Sequence, residues 1–486
     1  MLRALVFALW SLLLAGLVFF RYDPRFGHDG LPSLGRRPTY LPYYAAYLLP
    51  LCIPILLATL TLMGFTRAAE EALSTYVGLF LHISLYHLAL LLVLPLLRGR
   101  ICARTCALLW VIPNLLYFTS STIYRPAKPL WVLVIPGRWH MVALWVWLAG
   151  FLGVLGWHIA GHLRFRRRIL APALPVTDPQ TLEVWQETLA EADLRRPKYR
   201  LVVSPAVNTP LSVGLIPRST RVVLPPRPYT MEELHWVLRH EVIHLARQDS
   251  WNKFFLLFCT AVCWFNPVMW LAMKTCAQDL ELSCDETVLL FAHGPQRKEY
   301  AALLLHTAGD ARGFTTCLSA SAASLRRRLR QVLSSAIPSS GAVAVGVIFF
   351  VLSVTWGWGT LAYSPTSGAQ VLYAAQPASA VAVDGVHLYR PHTDPSQSAY
   401  TLTDPQALHQ YFSGLTLAHL MGSYTFPDGQ RDFYCFFTDG QQQRLIAITD
   451  QVMEVTVLGT GGSTHCYYIT QGVDWDYLSG LMTQSP

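Results

Sequence analysis

The chain has 486 residues, 53% of them hydrophobic and only 14% charged. A soluble domain of average composition carries about 25% charged residues, so an ordinary soluble protein is excluded and a membrane-embedded chain of two or three domains is expected. The net charge of +8 is divided: from Ser364 onward three arginines face ten acidic residues, a net of −7 that leaves +15 for the rest. Much of that excess flanks apolar segments, where it sets membrane orientation, and no direct nucleic-acid binding is expected.

A helix crosses a bilayer with about 20 apolar residues. The candidates in chain order are Ala4–Phe20, Leu41–Phe65, Thr75–Leu97, a shorter Thr105–Tyr117 containing Pro113, Trp139–Leu163 and, far downstream, Gly341–Tyr363. Ala4–Phe20 has the length of a signal peptide, but no small-x-small cleavage site follows, so a retained helix is preferred. The fifth segment exits into "RFRRR" (Arg164 to Arg168) and the last is preceded by "LRRRLR" (Leu325 to Arg330). Both flanks are therefore expected in the cytoplasm. The layout is a membrane bundle of about five helices over 1–163, a cytoplasmic domain over 164–340, a final crossing at 341–363 and an exterior domain over 364–486.

Within the cytoplasmic part, Val202–Val203 and Thr220–Leu224 are β-branched runs punctuated by Gly214 and Pro217, which predicts a hairpin. Such a hairpin can offer a strand edge to an extended peptide. Next comes "YTMEELHWVLRHEVIHLARQD". Thr230 with Glu233 three residues on is a capping-box pattern, and nothing breaks the helix before Ala246. His240 and His244 are four apart and share one helical face. Two imidazoles so placed can bind one zinc ion, and Glu241 beside the first is placed as general base. The bland alternative is a helix with two ordinary histidines.

Downstream, Glu281 and Asp285 of "QDLELSCDETVLL" share a helical face. Glu281 as third ligand gives a His₂Glu set with one open position for water, as a catalytic zinc requires. Asp285 and Asp249 are each placed to orient a ligating histidine. Between the two motifs, Phe254–Ala272 is nearly long enough to cross. A single crossing would put Glu281 on the opposite side from His240, and Asn266-Pro267 favours a break. A hairpin dipping into the membrane, or helices packed on its inner face, is expected near 254–272.

The exterior segment reads as a small α+β unit. It comprises a capped helix at Thr403–Leu415, a hairpin around Asp439-Gly440 and strands in "MEVTVLG" and "HCYYIT". His387, His392 and His465 read as surface histidines. Of the ten cysteines, Cys52, Cys102, Cys106, Cys259 and Cys263 lie in apolar surroundings and Cys276, Cys284 and Cys317 are expected reduced. Cys435 and Cys466 are the two exterior cysteines, and a disulfide between them is expected.

"LSVGLIPRSTRVVLP", "HEVIHLARQD", "WFNPVMWLA" and "ELSCDE" occur in the order found in BlaR/MecR-type membrane metallopeptidases, of the gluzincin class. The resemblance is strong over about 190–290. It implies a multi-pass α-helical membrane protein with a cytoplasmic gluzincin-type α+β zinc peptidase domain. It also implies zinc on His240, His244 and Glu281, Glu241 as catalytic base, and Asp285 at the family's second acidic position. In such proteins an exterior signal activates a cytoplasmic protease, and a transcriptional repressor is lost from DNA. A winged-helix repressor as substrate, or self-cleavage, is what the resemblance implies here. The exterior ligand is unknown, and a homodimer is left open. No lysine follows Lys298, so Ser-x-x-Lys and Lys-Thr-Gly are both missing from 364–486 and no penicillin adduct is expected. The alternatives are a constitutive quality-control metalloprotease and a non-proteolytic receptor with a structural zinc.

Overall fold

The computed structural model describes residues 2–22, 61–62, 64–115, 129, 131–137, 139–192, 194, 199–215, 217–290, 292–309, 322–334, 338–355, 359–373, 381–388, 400–422, 431–439, 442–459 and 463–484. The described parts of 1–55, 82–118 and 147–354 form one compact unit, and those of 56–81, 119–146 and 355–486 a second.

The apolar segments come first. Helix α1 is Leu2–Tyr22, α2 is Phe65–Leu97 and α3 is Ala103–Val111. Strand β1 (Trp131–Ile135) precedes helix α4 (Trp139–Leu170). By length and composition Ala68–Leu97 and Trp139–Leu170 can each cross a membrane. The segment expected at Leu41–Phe65 lies almost wholly outside the described residues. Thr105–Tyr117 differs from expectation. Its nine-residue helix α3 rises only about 13 Å against a bilayer core of about 30 Å, and it is almost entirely buried.

The region after α4 follows. Strand β2 is Leu174–Pro175, α5 is Pro179–Glu191, and β3 (Arg200–Val203), β4 (Leu211–Val213) and β5 (Arg221–Leu224) complete a four-stranded sheet in the order β2-β3-β5-β4. The expected hairpin is repartnered here: β3 pairs with β5 in parallel, and the antiparallel partner of β5 is β4. Gly214 makes that turn at φ +127°, and a Cβ there would sit 2.6 Å from the Thr220 Cα. Arg221–Val223 is thus interior to the sheet, and β2 and β4 are its edges among the described residues.

Five helices come next. They are α6 (Met231–Arg247), α7 (Asp249–Val262), α8 (Pro267–Val288), α9 (Gly294–Gly309) and α10 (Ala322–Val332). Asn266 caps α8 by accepting from Val268 N, and Pro267 opens it, where a missing N–H costs nothing. The chain therefore reverses between α7 and α8, which bears out the break at Asn266-Pro267. The tip packs on the apolar helices. Trp147 Nε1 donates to Val262 O at 2.7 Å, and Asn266 Nδ2 to Ser84 Oγ at 2.6 Å.

The expected last crossing differs too. Helix α11 covers Ala342–Thr355, 14 residues or about 21 Å, and Gly359–Tyr363 is instead strand β6, paired in parallel with β1. Beyond it lie β7 (Thr366–Ser367), α12 (Gly368–Leu372), β8 (Ala382–Leu388), β9 (Tyr400–Leu402), α13 (Pro405–Gly414), β10 (Thr416–His419), β11 (Phe433–Asp439), β12 (Gln442–Thr449), β13 (Val452–Val457), β14 (Thr464–Ile469), α14 (Trp475–Gly480) and β15 (Met482–Gln484). The main sheet has the order β7-β10-β14-β13-β12-β11-β8. The helix capped by Asp404 and the β11–β12 pairing up to Asp439 opposite Gln442 match the reading of the sequence.

The disulfide does not form. Cys435 lies on β11 and Cys466 on β14, three places apart in the sheet. At about 4.8 Å per strand that is roughly 14 Å, twice the Cα separation a disulfide tolerates. The two also belong to different apolar clusters.

Candidate metal centre

Helix α6 begins with the predicted capping box, Thr230 and Glu233 each bonding the other's backbone N–H. It buries Leu234, Val237, Leu238 and Val242 in a core shared with α5, α8 and α9. That orientation leaves His240 and His244 on the side facing α8. The helix stops at Gln248, whose φ of 54° puts a non-glycine residue in the left-handed region. Such a conformation carries strain that surrounding structure must hold. Here it turns the chain so that Asp249 returns to His244, with Oδ2 2.6 Å from Nδ1.

The two imidazoles meet edge to face, their Nε2 atoms 3.1 Å apart. Glu281, on α8, has Oε2 3.6 Å from each Nε2. Its other oxygen is 3.3 Å from Lys253 Nζ. Glu241 is buried, 6% exposed, on the same helix. The structure thus brings His240, His244 and Glu281 together, places Asp249 on His244, and places Asp285 at 3.5 Å from His240 Nδ1.

The second nitrogens define the tautomers. The Asp249 carboxylate only accepts, so His244 Nδ1 donates to it. Tyr300 donates its hydroxyl proton to Asp285 Oδ1 at 2.7 Å, so its oxygen accepts from His240 Nδ1 at 2.9 Å. With both Nδ1 atoms protonated, neutral rings present two Nε2 lone pairs to each other and to a carboxylate. Only a cation or an extra proton suits that arrangement, and a metal ion fits its donor set.

The electrostatics agree. Burial alone would lower the His240 pKa, but the Cys284 sulfur and Glu281 push it up to about 10. Burial likewise opposes protonation of His244, yet Cys284, Glu281 and Asp249 raise it well above its ordinary value. Burial would raise the Glu281 carboxyl, whereas Lys253 and the two histidines hold it well below the usual range. For Asp249, too, burial is outweighed, by Arg247 and His244, and its pKa falls. Glu281 and the Cys284 sulfur thus favour a positive charge on the two imidazoles against the cost of burial.

Three participants escaped the reading of the sequence. Cys284 is the first: with His240 and His244 it forms a group whose ligand atoms lie within 4.8 Å. Burial would raise its thiol, but the histidines pull it down to about 7. Its sulfur meets His240 at Nδ1, 3.6 Å away, the nitrogen a metal leaves alone when Nε2 is the ligand. Glu281 Oε2, by contrast, faces both Nε2 atoms at 3.6 Å. Tyr300 and Arg328 are the others; Arg328 grips Asp285 with two bonds of 2.6 and 2.7 Å. Tyr300 lies 60 residues from His240, a distance at which helical spacing carries no signal.

Residues 126–332 match the family described as BlaR1 peptidase M56. Over 162 residues the chain is 28% identical to "Regulatory protein BlaR1" of Bacillus licheniformis, an alignment covering 32% of this chain and 27% of that protein. Both findings support the BlaR/MecR-type family that the motifs implied.

Proposed function

We propose that this BlaR/MecR-type chain is a membrane-embedded zinc endopeptidase. It would transduce an exterior signal by cleaving a cytoplasmic protein, with a winged-helix transcriptional repressor as the favoured substrate and the chain itself as a second one. The observation that carries the reading is the pair of bare Nε2 atoms facing Glu281, with Glu241 buried on the same helix. Two nitrogens and one carboxylate oxygen suit Zn²⁺ with one position left open. Zinc bound there would supply a Lewis acid and acidify a water.

The chain's own groups do the rest. Glu241 takes the proton from the attacking water and returns it to the leaving amine. Strand β4, the free edge beside α6, aligns an extended substrate by backbone hydrogen bonds. Phe265 in the α7–α8 turn and Leu271 near the start of α8 are exposed by about half, which suits a tip dipping into lipid. The arginine-rich flanks at 164–168 and 325–330 keep the peptidase on the cytoplasmic face.

The test is an immunoblot of membranes carrying the chain tagged at both ends together with a neighbouring repressor. Wild type and Glu241→Gln are compared at equal zinc content. Fragments confined to wild type support the proposal. Fragments in both, or in neither under every exterior stimulus tried, sink it.

A further inference from the structure

"LRRRLR" entered as a membrane-orientation signal, a row of interchangeable charges. The structure separates its members. Arg328 is turned inward on α10, its side chain 15% exposed, and holds the buried Asp285 by both guanidinium edges at 2.6 and 2.7 Å. Asp285 accepts from Tyr300 at 2.7 Å, and Tyr300 accepts from His240 Nδ1 at 2.9 Å. A chain of bonds thus runs from α10 through α8 and α9 to the first metal-binding histidine.

A second arginine works on the other side of Glu281. Arg98, at the end of α2, is bidentate to Asp279 at 3.0 and 2.7 Å, and Trp110 Nε1 donates to the same carboxylate at 2.7 Å. Glu286, one residue past Asp285, accepts from Ala103 N at 2.6 Å. The segment entering α11 is knitted to the same place. Ser339 N donates to Arg100 O at 2.9 Å, Cys102 N to Ser339 O at 2.8 Å, and Thr105 Oγ1 to Ser340 O at 2.6 Å. The stretch of α8 that bears Glu281 is therefore tied to the flanks of two apolar helices, α2 and α11.

We propose that Arg328 is a positioning residue of the metal centre: through Asp285 and Tyr300 it fixes the tautomer and ring orientation of His240, and so links the segment leading into α11 to metal affinity. The physical reason is directional. A bidentate guanidinium leaves Asp285 one orientation. Asp285 then obliges Tyr300 to spend its proton on the carboxylate, and the tyrosine oxygen must accept from Nδ1. Nε2 is left as the ligand, and its basicity rises with the negative charge behind the ring. Withdrawing Arg328 frees Asp285 to rotate and Tyr300 to donate elsewhere. Any movement of α10 would make the same change reversibly, so metal affinity can answer to the segment before α11.

The inference rests on the proposed metal reading. The test separates the two with the full chain in detergent or nanodiscs, by competing zinc against a chelator and by recording the visible spectrum of the cobalt-loaded protein. His240→Ala establishes the metal reading: if it binds zinc like wild type, that reading and this inference both fall. If His240→Ala loses the metal, Arg328→Met is expected to weaken zinc about tenfold to a hundredfold and shift the cobalt bands. Arg328→Lys should fall between, and Arg326→Met should match wild type. Tyr300→Phe keeps the packing and removes only the middle hydroxyl, so the double variant Arg328→Met/Tyr300→Phe should bind no more weakly than the worse single variant. Arg328→Met binding zinc like Arg326→Met, or losses that simply multiply in the double variant, overturns the proposal. Circular dichroism of the zinc-free variants distinguishes lost folding from lost positioning, and Tyr300→Phe carries the test if Arg328→Met unfolds.

Discussion

The two compact units bury different things. Around α6 to α8 the interior holds full charges: Glu241, Arg247, Asp249, Asp279 and Asp285 are all nearly inaccessible. In the second unit the buried polar side chains among the described residues are hydroxyls and imidazoles, those of Ser74, His140, Thr360, His409 and Thr449. Its core is otherwise apolar, with Phe412, Phe433, Phe437 and Ile446 fully enclosed. Removing a charge from water costs several kcal/mol even after relaxation, so an interior built of charges is retained for what the charges do. The first unit spends stability on a donor set that calls for a cation. The second maximises packing, and its stability comes from area removed from water.

That contrast can be broken most severely at Glu241. Glu241→Gln should lower the rate of peptide cleavage by about a hundredfold to ten-thousandfold, the range of a lost general base, with zinc content unchanged by mass spectrometry. Zinc lost together with activity would show that Glu241 builds the site rather than working in it. The counterpart in the second unit is Phe437→Ala. It should cost about 3–5 kcal/mol of stability in denaturant titration and leave chelator competition untouched.

Smaller effects sharpen the comparison. Asp249→Asn keeps the shape but no longer requires His244 to donate, and should weaken zinc about tenfold or more. The pH dependence follows from the raised histidines. With His240 pushed up to about 10, the metal-free site holds a proton at neutral pH that zinc must displace. Apparent affinity should therefore rise from pH 6 towards pH 9, about tenfold per unit for each proton released. Calorimetry in buffers of different ionisation enthalpy would register that proton, and a flat profile would contradict the lone-pair argument. The smallest effect is at the thiols of the second unit. Cys435 and Cys466 should both take up an alkylating reagent after denaturation without reductant, with no change in gel mobility on reduction.

Much of the candidate metal centre is legible in the amino-acid sequence. The capping box, the four-residue spacing of His240 and His244, and the break at Asn266-Pro267 are all local, and each appears where the spacing put it. Glu281 is recoverable because the break forces a reversal that carries α8 back to α6. Cys435 and Cys466 mislead because two cysteines in one compartment say nothing of the strands between them. The β3–β5 pairing misleads for a related reason: two β-branched runs fix strand character, whereas their parallel partnership depends on β4 intervening.

By itself the sequence determined which residues share a helical face, where helices start and stop, and which chemistry those faces can host. These are properties of 3.6-residue periodicity and of backbone groups that need caps. Only the tertiary structure decided that Cys284 approaches His240, that Tyr300 stands between His240 and Asp285, and that Arg328 of "LRRRLR" reaches Asp285 while carrying the same charge as its neighbours. Those contacts join helices separated by loops, and they are set by how apolar faces pack, which leaves no periodic trace in the chain.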